Sequence, residues 1–251
     1  MKKTRISAVS YLNTLPFVYG IRNSGLINNF ELSLDVPSEC ARKFTRNEAD
    51  IALVPVAAIP KPSSYELLHD FCIGSTGHVK TVLLLSQVPL KKISRIHLDC
   101  HSLTSVNLVK ILARHYWHIK PKWVNMNEQT EKNIASHESV VAIGDKTFEL
   151  TDKYSCMYDF GAEWKNFTGL PFVFACWVAH KNVENAKIRE ISDALEWGVK
   201  NKREAIENLF DKQKFPSVKI DEYLEKNIDF VFDEQKHTAL KLFLEYINKL
   251  Y

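Results

Sequence analysis

Short apolar runs alternate with helix-length segments in the first 60 residues, and this alternation restricts the possible folds more than any other feature. The runs at 5–9, 30–36 and 50–59 have the length and apolar pattern of strands. The segments between them, 13–23 and 37–47, each carry a proline in the first helical turn, where its missing N–H does no harm. A β-α-β-α-β order predicts a parallel sheet covered by helices.

The same order begins again further along the chain. Residues 94–99, 120–126 and 139–145 have the character of strands, and residues 102–117 and 128–136 that of helices. The 102–117 segment is the clearest amphipathic helix in the chain. The sequence therefore predicts a second β-α-β-α-β unit, which has no obvious sequence identity to the first.

Two further apolar runs, 79–85 and 171–178, lie between and after these units, and the segment that follows is helical in pattern. This arrangement predicts an α/β protein of two lobes, with parallel-rich sheets flanked by helices and crossing strands between the lobes. We expect lobe 1 to comprise residues 1–86 plus 175–251 and lobe 2 residues 87–174. This is the architecture of a type II periplasmic-binding-protein-like fold, whose ligand lies in the cleft between the lobes.

Composition argues against several classes of protein. A chain of 251 residues with 45% apolar and 25% charged residues suits a folded protein with a well-buried core. The net charge of +3 comes without a dense Lys/Arg block, so we expect no nucleic-acid partner. The N-terminal segment lacks the apolar core of a signal peptide, and no apolar run approaches the roughly 20 residues of a membrane span. The expected location is the cytoplasm, with no membrane partner.

The sequence carries no recognised metal or cofactor motif. Its five cysteines are far apart and form no C-x-x-C pair, as expected for reduced thiols. The nine histidines form no H-E-x-x-H pattern, and Gly-Ser-Thr-Gly at 74–77 lacks the Lys-Ser/Thr ending of a phosphate loop. The prediction is therefore that the protein needs neither a metal nor a cofactor.

Small polar clusters follow the predicted strands. They are "SYLNT" at 10–14, "GSTGHVKT" at 74–81 and "HSLTS" at 101–105, and Asp145 ends a further strand. Ligands of such folds lie beyond the carboxyl ends of strands, so we expect these clusters to face a common cleft. The predicted substrate-binding residues are Ser10, Ser75, Thr104, Ser105 and Asp145.

Each of these clusters also has a purely structural interpretation. Ser102, Thr104 and Ser105 have the composition of a helix N-cap, which would use their oxygens for local hydrogen bonds. An asparagine such as Asn13 is more often a turn or cap residue than a catalytic one, and Asp145 could cap the helix that follows it. Both interpretations stay open at the level of the sequence.

Six stretches in combination resemble the chorismate dehydratases of the futalosine route to menaquinone. They occur in family order and span residues 7 to about 178: "SYLNTLPF", "ADIALVPVAAI", "CIGSTGHVKTVLLLSQVPL", "LDCHSLTSVNLVKILA", "AIGD" and "GAEWKNFTGLPFVFACW". The resemblance implies a two-lobed cytoplasmic enzyme, a carbon–oxygen lyase (hydro-lyase). Its reaction removes water from chorismate, a dicarboxylate, to give 3-[(1-carboxyvinyl)oxy]benzoate without a known cofactor.

The resemblance also implies two catalytic residues. The family's active-site Asn falls on Asn13, and the hydroxyl of its Gly-Pro-Val-x-Ser motif falls on Thr81, because this chain has Gly-His-Val-Lys-Thr. His78 thus stands in place of the family's proline, and Leu103 in place of an arginine at the helix start. Without that arginine, an anion site would depend on Thr104, Ser105 and backbone amides.

Two other functions fit the same sequence pattern. One is a cytoplasmic small-anion binding or sensor module, which would share the fold and cleft without turnover. The other is the related 1,4-dihydroxy-6-naphthoate synthase, although the "SYLNTLPF" start favours the dehydratase.

Overall fold

The computed structural model describes residues 3–59, 65–131, 133–134 and 137–250. The chain divides into two compact units, each formed from two separate segments. Unit 1 contains Met1–Gly74 and Val173–Asp233, and unit 2 contains Ser75–Phe172 and Glu234–Tyr251. None of the helices in the described ranges has the length and apolar character that crossing a membrane requires.

Strands and helices alternate along most of the described chain. The strands are β1 (Thr4–Val9), β2 (Phe30–Asp35), β3 (Ile51–Pro55), β4 (Tyr65–Ser75), β5 (Val82–Ser86), β6 (Arg95–Leu98), β7 (Lys122–Asn125), β8 (Ser139–Ile143), β9 (Cys156–Asp159), β10 (Phe172–His180) and β11 (Asp229–Val231). The helices are α1 (Leu15–Asn23), α2 (Pro37–Thr45), α3 (Leu103–His115), α4 (Glu128–Glu131), α5 (Thr147–Leu150), α6 (Phe160–Thr168), α7 (Asn185–Lys200), α8 (Lys202–Leu209), α9 (Ile220–Lys226) and α10 (Glu234–Asn248).

The first sheet has the strand order β11-β4-β10-β3-β1-β2 among the described residues. Strand β1 pairs in parallel with both β2 and β3, as the β-α-β-α-β pattern predicts. Strand β10 returns antiparallel to β3, and β11 antiparallel to β4. The mixed α/β class and the parallel start of this sheet are therefore confirmed.

Helix α1 lies unusually close to α7 in unit 1. A Cβ on Gly20 would clash with the carbonyl of Ala194, and one on Gly198 with the carbonyl of Pro16. The two glycines thus allow backbone to meet backbone. Phe17, on α1, is fully buried. Its ring meets that of Trp177 edge to face, with the two ring centroids 5.8 Å apart. This contact fixes α1, and the turn that precedes it, to the first sheet.

The second sheet has the order β7-β6-β8-β5-β9 among the described residues. Strand β6 is parallel to β7 and β8, as predicted, whereas β5 runs antiparallel to β8 and β9. The three central leucines of β5, Leu83–Leu85, have no exposed surface. Strand β5 is therefore a central element of unit 2.

The observed units differ from the predicted lobe boundaries by two residues at Val173, and by more at two other places. We expected residues 1–86 in lobe 1, but β5 hydrogen-bonds within the second sheet, so the division falls after Gly74. We also expected residues 175–251 in lobe 1, but α10 belongs to unit 2. There Phe243 packs edge-on against Phe172 at 5.0 Å and Trp164 at 6.0 Å. Both differences arise from partners distant in sequence.

Some predicted elements are shorter in the structure, and others were not predicted. The predicted 50–59 strand ends at Pro55, and the predicted 128–136 helix is described only as α4, with residues 132, 135 and 136 outside the described residues. The C-terminal segment, predicted to be wholly helical, includes the strand β11. Strands β4 and β9 and helix α6 lack a long periodic apolar pattern and were not predicted as elements.

Candidate functional site

Several predicted residues of unit 2 lie along one edge of its sheet. Val82, at the start of β5, is opposite Ile143 at the end of β8, and Leu83 is opposite Asp159 at the end of β9. Because β6 runs parallel to β8, it also ends at this edge, where α3 begins. The structure thus brings together the segments that carry Ser75, Thr81, Thr104, Ser105 and Asp145.

Asp159 organises the loop before β5. Its carboxylate accepts hydrogen bonds from the backbone N–H groups of Val79 at 3.0 Å and Lys80 at 2.7 Å. It also caps α6 by accepting from the N–H groups of Gly161 at 3.0 Å and Ala162 at 3.2 Å. One buried side chain therefore ties the loop to the start of the helix.

The electrostatic balance at Asp159 has two opposing contributions. Burial raises the pKa of Asp159, whereas the backbone hydrogen bonds from Val79, Lys80 and Ala162 and the nearby His78 act to lower it. The His78 imidazole is largely exposed, and its Nδ1 lies 3.8 Å from a carboxylate oxygen of Asp159. The residue that replaces the family's proline therefore stands beside the carboxylate that holds the loop.

The loop 75–81 fits closely against α6. A Cβ on Gly161 would clash with the Gly77 carbonyl oxygen and the Ser75 hydroxyl, so glycine is required there. The Ser75 hydroxyl is buried and donates to the Gly77 carbonyl at 3.1 Å. Lys80 adopts the left-handed conformation with φ of 63°, which is uncommon for a residue other than glycine. Asp159 stabilises this conformation through the Lys80 N–H.

Thr81 is almost fully buried where this loop enters β5. Its hydroxyl donates to the Val79 carbonyl at 3.4 Å, a long hydrogen bond, and its own carbonyl accepts from the Gly144 N–H at 2.9 Å. Asp145, next to Gly144, is half-buried, and its carbonyl accepts from the Phe148 N–H at 3.2 Å. Thr81 and Asp145 are thus joined through the backbone of Gly144.

The start of α3 is capped from within. The Ser102 hydroxyl oxygen accepts from the Ser105 N–H at 3.1 Å, and the hydroxyl donates to Ser105 Oγ at 2.7 Å. Thr104 and Ser105 are 1% and 2% exposed. The capping interpretation therefore holds for Ser102, while the binding of an anion by Thr104 and Ser105 stays a prediction.

A second buried carboxylate lies just before this helix. Asp99 accepts from the His101 N–H at 2.8 Å and forms an ion pair with Lys146 at 2.7 Å. Its side chain has no exposed surface. Asp99 therefore links the end of β6 to the segment after β8, although sequence reasoning singled out neither Asp99 nor Asp159.

In unit 1, Asn13 follows β1 in a short 3-10 turn at Leu12–Thr14. Thr14 locks this turn, because its hydroxyl lies 2.6 Å from the Val9 carbonyl and 2.7 Å from that of Tyr11. The Asn13 Oδ1 atom is buried and has no hydrogen-bond partner among the described residues. Ser10, at the end of β1, is exposed, and its N–H donates to the Asp35 carbonyl at 2.9 Å.

An unpaired buried acceptor is costly, so Asn13 Oδ1 is unusual in a folded protein. Leaving such a group unsatisfied costs about 1–3 kcal/mol, and most buried polar atoms have a partner. A ligand that donates a hydrogen bond would remove this cost. In the described part of the chain, no three His, Cys, Asp or Glu side chains are grouped so as to hold a metal ion.

The sequence model of the menaquinone biosynthesis family matches residues 4–249. The chain belongs to this family. One curated relative is the chorismate dehydratase of Thermus thermophilus, which is 25% identical over 255 residues. The alignment with it covers 94% of this chain and 92% of the relative.

Solved structures place this member of the menaquinone biosynthesis family in a known fold. Protein AF1704 from Archaeoglobus fulgidus matches with a TM-score of 0.76 at 13% identity, over 99% of this chain and 97% of that chain. The Candida albicans CA3427 gene product, described as having the generic periplasmic binding protein structural fold, matches with a TM-score of 0.60 at 12% identity, over 99% and 94%. The periplasmic-binding-protein-like fold predicted from the sequence is confirmed.

Proposed function

We propose that this protein is a chorismate dehydratase, a carbon–oxygen lyase that acts in menaquinone biosynthesis through the futalosine route. The observation that carries the proposal is the buried Oδ1 of Asn13, which has no hydrogen-bond partner among the described residues and lies at the position where the family resemblance places an active-site asparagine. Membership of the menaquinone biosynthesis family and the similarity to a chorismate dehydratase support it. A cytoplasmic location is part of the same proposal.

The reaction makes modest demands on the protein. The C3–H bond of chorismate breaks, its electrons form the new ring double bond, and the C4–O bond breaks, so that one water leaves. Because the product ring is aromatic, the equilibrium strongly favours it. The protein has to orient the substrate and assist proton transfer and departure of the hydroxyl group.

Asn13 has a suitable role in that step. Its unpaired Oδ1 accepts a hydrogen bond, and the C4 hydroxyl of chorismate is a donor. Neither the Asn13 amide nor the Thr81 hydroxyl is a good base. The C3 proton therefore goes to the substrate's own enolpyruvyl carboxylate and passes from there to the departing C4 hydroxyl, which leaves as water. Asn13 and Thr81 hold the substrate in the reactive conformation.

The substrate carries two carboxylates, which the loops of unit 2 are suited to receive. Ser75, Thr104 and Ser105 supply hydroxyl groups, and the last two lie in the first turn of α3, at the positive end of its dipole. The departure from the family at Leu103 leaves an apolar side chain, 49% exposed, at the first position of that helix. Substrate anchoring in this proposal therefore depends on hydroxyl and backbone groups, with Ser10 and Asp145 as further contacts.

Incubation of the purified protein with chorismate tests the proposal. We expect 3-[(1-carboxyvinyl)oxy]benzoate to accumulate, measured by liquid chromatography and mass spectrometry, at the same rate before and after dialysis against a chelator. Binding of chorismate without any product would support the sensor-module alternative instead. Activity that returns only with a divalent ion would contradict the metal-free mechanism.

A further inference from the structure

A pocket lies in unit 2, lined by residues that the proposed reaction does not use. It has a volume of about 510 Å³ and is formed by the last turns of α3, the segment that leads to β7, β7 itself and Leu250. Small-molecule sites have volumes of roughly 300–1,000 Å³, so the pocket has the size of one.

The charged side chains that line this pocket are all basic. Arg114, His118 and Lys120 are exposed there, and Lys110 lies one helical turn before Arg114. None of the described lining residues is an Asp or Glu. The charges of Lys110, Arg114 and Lys120 lie close together and create a positive potential that favours an anion, and the His118 imidazole offers a hydrogen-bond donor beside them.

His115, next to Arg114 in the chain, responds to this potential. Burial lowers the pKa of His115, and the nearby Arg114, Lys249 and His118 lower it further. A positive charge on its imidazole is therefore disfavoured first by burial and then by the basic side chains that line or flank the pocket. The positive potential at the pocket therefore arises from how the fold groups these side chains, as well as from the basic residues in the sequence.

The remaining lining is apolar and includes one large aromatic residue. Ala113 and Pro121 are buried, whereas Ile119 and Trp123 are half-buried. A basic rim beside a tryptophan suits a ligand with a flat ring and a negative group, because the ring buries apolar area while the anion meets the cations.

His118, at the pocket rim, has a backbone conformation that favours glycine. His118 has φ of 54°, in the left-handed region, and the next N–H, that of Ile119, donates to the Ala113 carbonyl at 2.9 Å. This is the geometry of a helix C-terminus, where glycine is the usual residue. The sequence thus accepts some backbone strain while keeping an imidazole at the rim.

We propose that this pocket binds a small planar organic anion, a ring that carries a carboxylate or a phosphate ester. Arg114, His118 and Lys120 hold the anionic group, and Trp123 and Ile119 contact the ring. The proposal is independent of the dehydratase activity, because none of these residues lies on the sheet edge described above.

Calorimetric titration with three matched probes tests the proposal: 2-naphthoate, 2-naphthyl phosphate and the neutral 2-naphthalenemethanol. We expect at least one of the two anions to bind to the wild-type chain and the alcohol to bind at least tenfold more weakly. The relative affinities of the two anions then identify the preferred negative group. Binding of the alcohol as tightly as the anions would contradict the proposed role of the basic rim.

The double variant Arg114→Gln/Lys120→Gln assigns the binding to this pocket. Because both side chains are exposed, we expect the fold to survive and the anion affinity to fall at least tenfold. Trp123→Leu should also weaken binding, whereas Lys122→Gln, an exposed charge on β7 outside the pocket, should leave it unchanged. Equal binding by wild type and the double variant, or no binding of either anion to wild type, would overturn the proposal.

Discussion

The two loops that follow β1 and β4 use polar groups in opposite ways. In unit 1, the Thr14 hydroxyl lies within hydrogen-bond distance of the Val9 and Tyr11 carbonyls and fixes the turn, and Asn13 Oδ1 is buried without a partner among the described residues. In unit 2, the 75–81 loop is held by Asp159, whose carboxylate meets four backbone N–H groups. The first loop retains an unused acceptor, whereas the second is held in shape by a buried carboxylate that another segment supplies.

This difference separates two kinds of contribution to a site. A satisfied polar group stabilises a conformation, so its loss is measured as a loss of stability. An unsatisfied one destabilises the free protein and is stabilised by a ligand, so its loss is measured in activity. Mutations in the two loops should therefore differ in what they change.

The largest expected effect is that of Asn13→Ala. We expect kcat for chorismate to fall about a hundredfold or more, the scale seen when one positioned transition-state hydrogen bond is lost. The free energy of unfolding should stay the same or rise, because the substitution removes a buried acceptor that has no partner in the described part of the chain.

Asn201→Ala is the matched control in unit 1. The Asn201 amide donates to the Trp197 carbonyl at 2.7 Å, so its loss should lower stability and leave kcat unchanged. Full activity of Asn13→Ala would remove Asn13 from the mechanism, and a large loss of its stability would contradict the contrast between the loops.

Asp159→Asn should have the next largest effect. The amide nitrogen of the new side chain would face a backbone N–H that now donates to the carboxylate, so the loop should detach. We expect the free energy of unfolding to fall by about 2 kcal/mol, the scale of hydrogen bonds to a charged group. Hydrogen exchange at the Val79 and Lys80 amides should accelerate, and kcat/KM should fall about tenfold.

Asp211→Asn serves as its control. Asp211 also accepts from two backbone N–H groups, those of Gln213 at 3.0 Å and Lys214 at 3.1 Å, but it is exposed. Its substitution should change stability by less than about 0.5 kcal/mol, as for most surface positions. Unchanged exchange at Val79 and Lys80 in Asp159→Asn would show that the carboxylate does not hold the loop.

Thr81 decides whether the second loop also contributes to the chemistry. Thr81→Ser should keep most of the activity because the hydroxyl survives, whereas Thr81→Val should lower kcat about tenfold or more. Thr147→Val is the control, since this equally buried hydroxyl donates to the Gly144 carbonyl at 2.8 Å. It should cost about 1 kcal/mol of stability and no activity. A fully active Thr81→Val would limit the loop to a structural role.

The smallest expected effect is on the pH dependence of stability. An aspartate of unit 1 and one of unit 2 should change the free energy of unfolding in opposite directions as the pH falls. In unit 1, burial acts to raise the pKa of Asp35, but hydrogen bonds from Lys43, Ser33 and Ser7 outweigh it, so the pKa is lowered. Its contribution is present above the unfolded value of about 3.9 and lost as the pH falls through the native pKa. Burial raises the pKa of Asp159, so its contribution is present below that unfolded value and lost as the pH rises through the native pKa.

Chemical unfolding from about pH 3 to about pH 7 measures this difference. Asp35→Asn should flatten the loss of stability in acid, and Asp159→Asn should make that loss steeper. The same change of slope in both variants would contradict the opposite pKa directions. The slopes are compared within each variant, because both substitutions also lower stability at every pH.

The sequence predicts the parallel parts of both sheets because each depends on a local pattern. Runs such as 5–9 and 139–145 are apolar and separated by helices, which is sufficient for β-α-β order. Strand β5 was placed in the wrong unit because its partners, β8 and β9, begin more than 50 residues later. No property of residues 82–86 alone indicates those partners.

The sequence predicts which segments form the candidate site, but not which atoms hydrogen-bond within it. The loops that carry Ser75, Thr81, Thr104, Ser105 and Asp145 were expected at strand ends, and they lie at one sheet edge. The role of Asp159 depends on a loop 80 residues earlier in the chain. Its only local signal is an aspartate before Phe-Gly-Ala-Glu, a typical helix N-cap. That Asn13 Oδ1 lacks a partner among the described residues depends on which donors the fold brings near it, and sequence patterns do not reveal this.

The aromatic contacts of α10 have a consequence for how the chain is made. Trp164 has no exposed surface, and its ring packs against Phe243 and Tyr246, which the ribosome adds about 80 residues later. The segment from β5 to α6 therefore leaves the ribosome with a large apolar surface uncovered, although its strands are complete. Unit 1 has all its residues once Asp233 has emerged, whereas unit 2 must wait for α10. Chaperones that bind exposed aromatic surface would meet unit 2 during that interval.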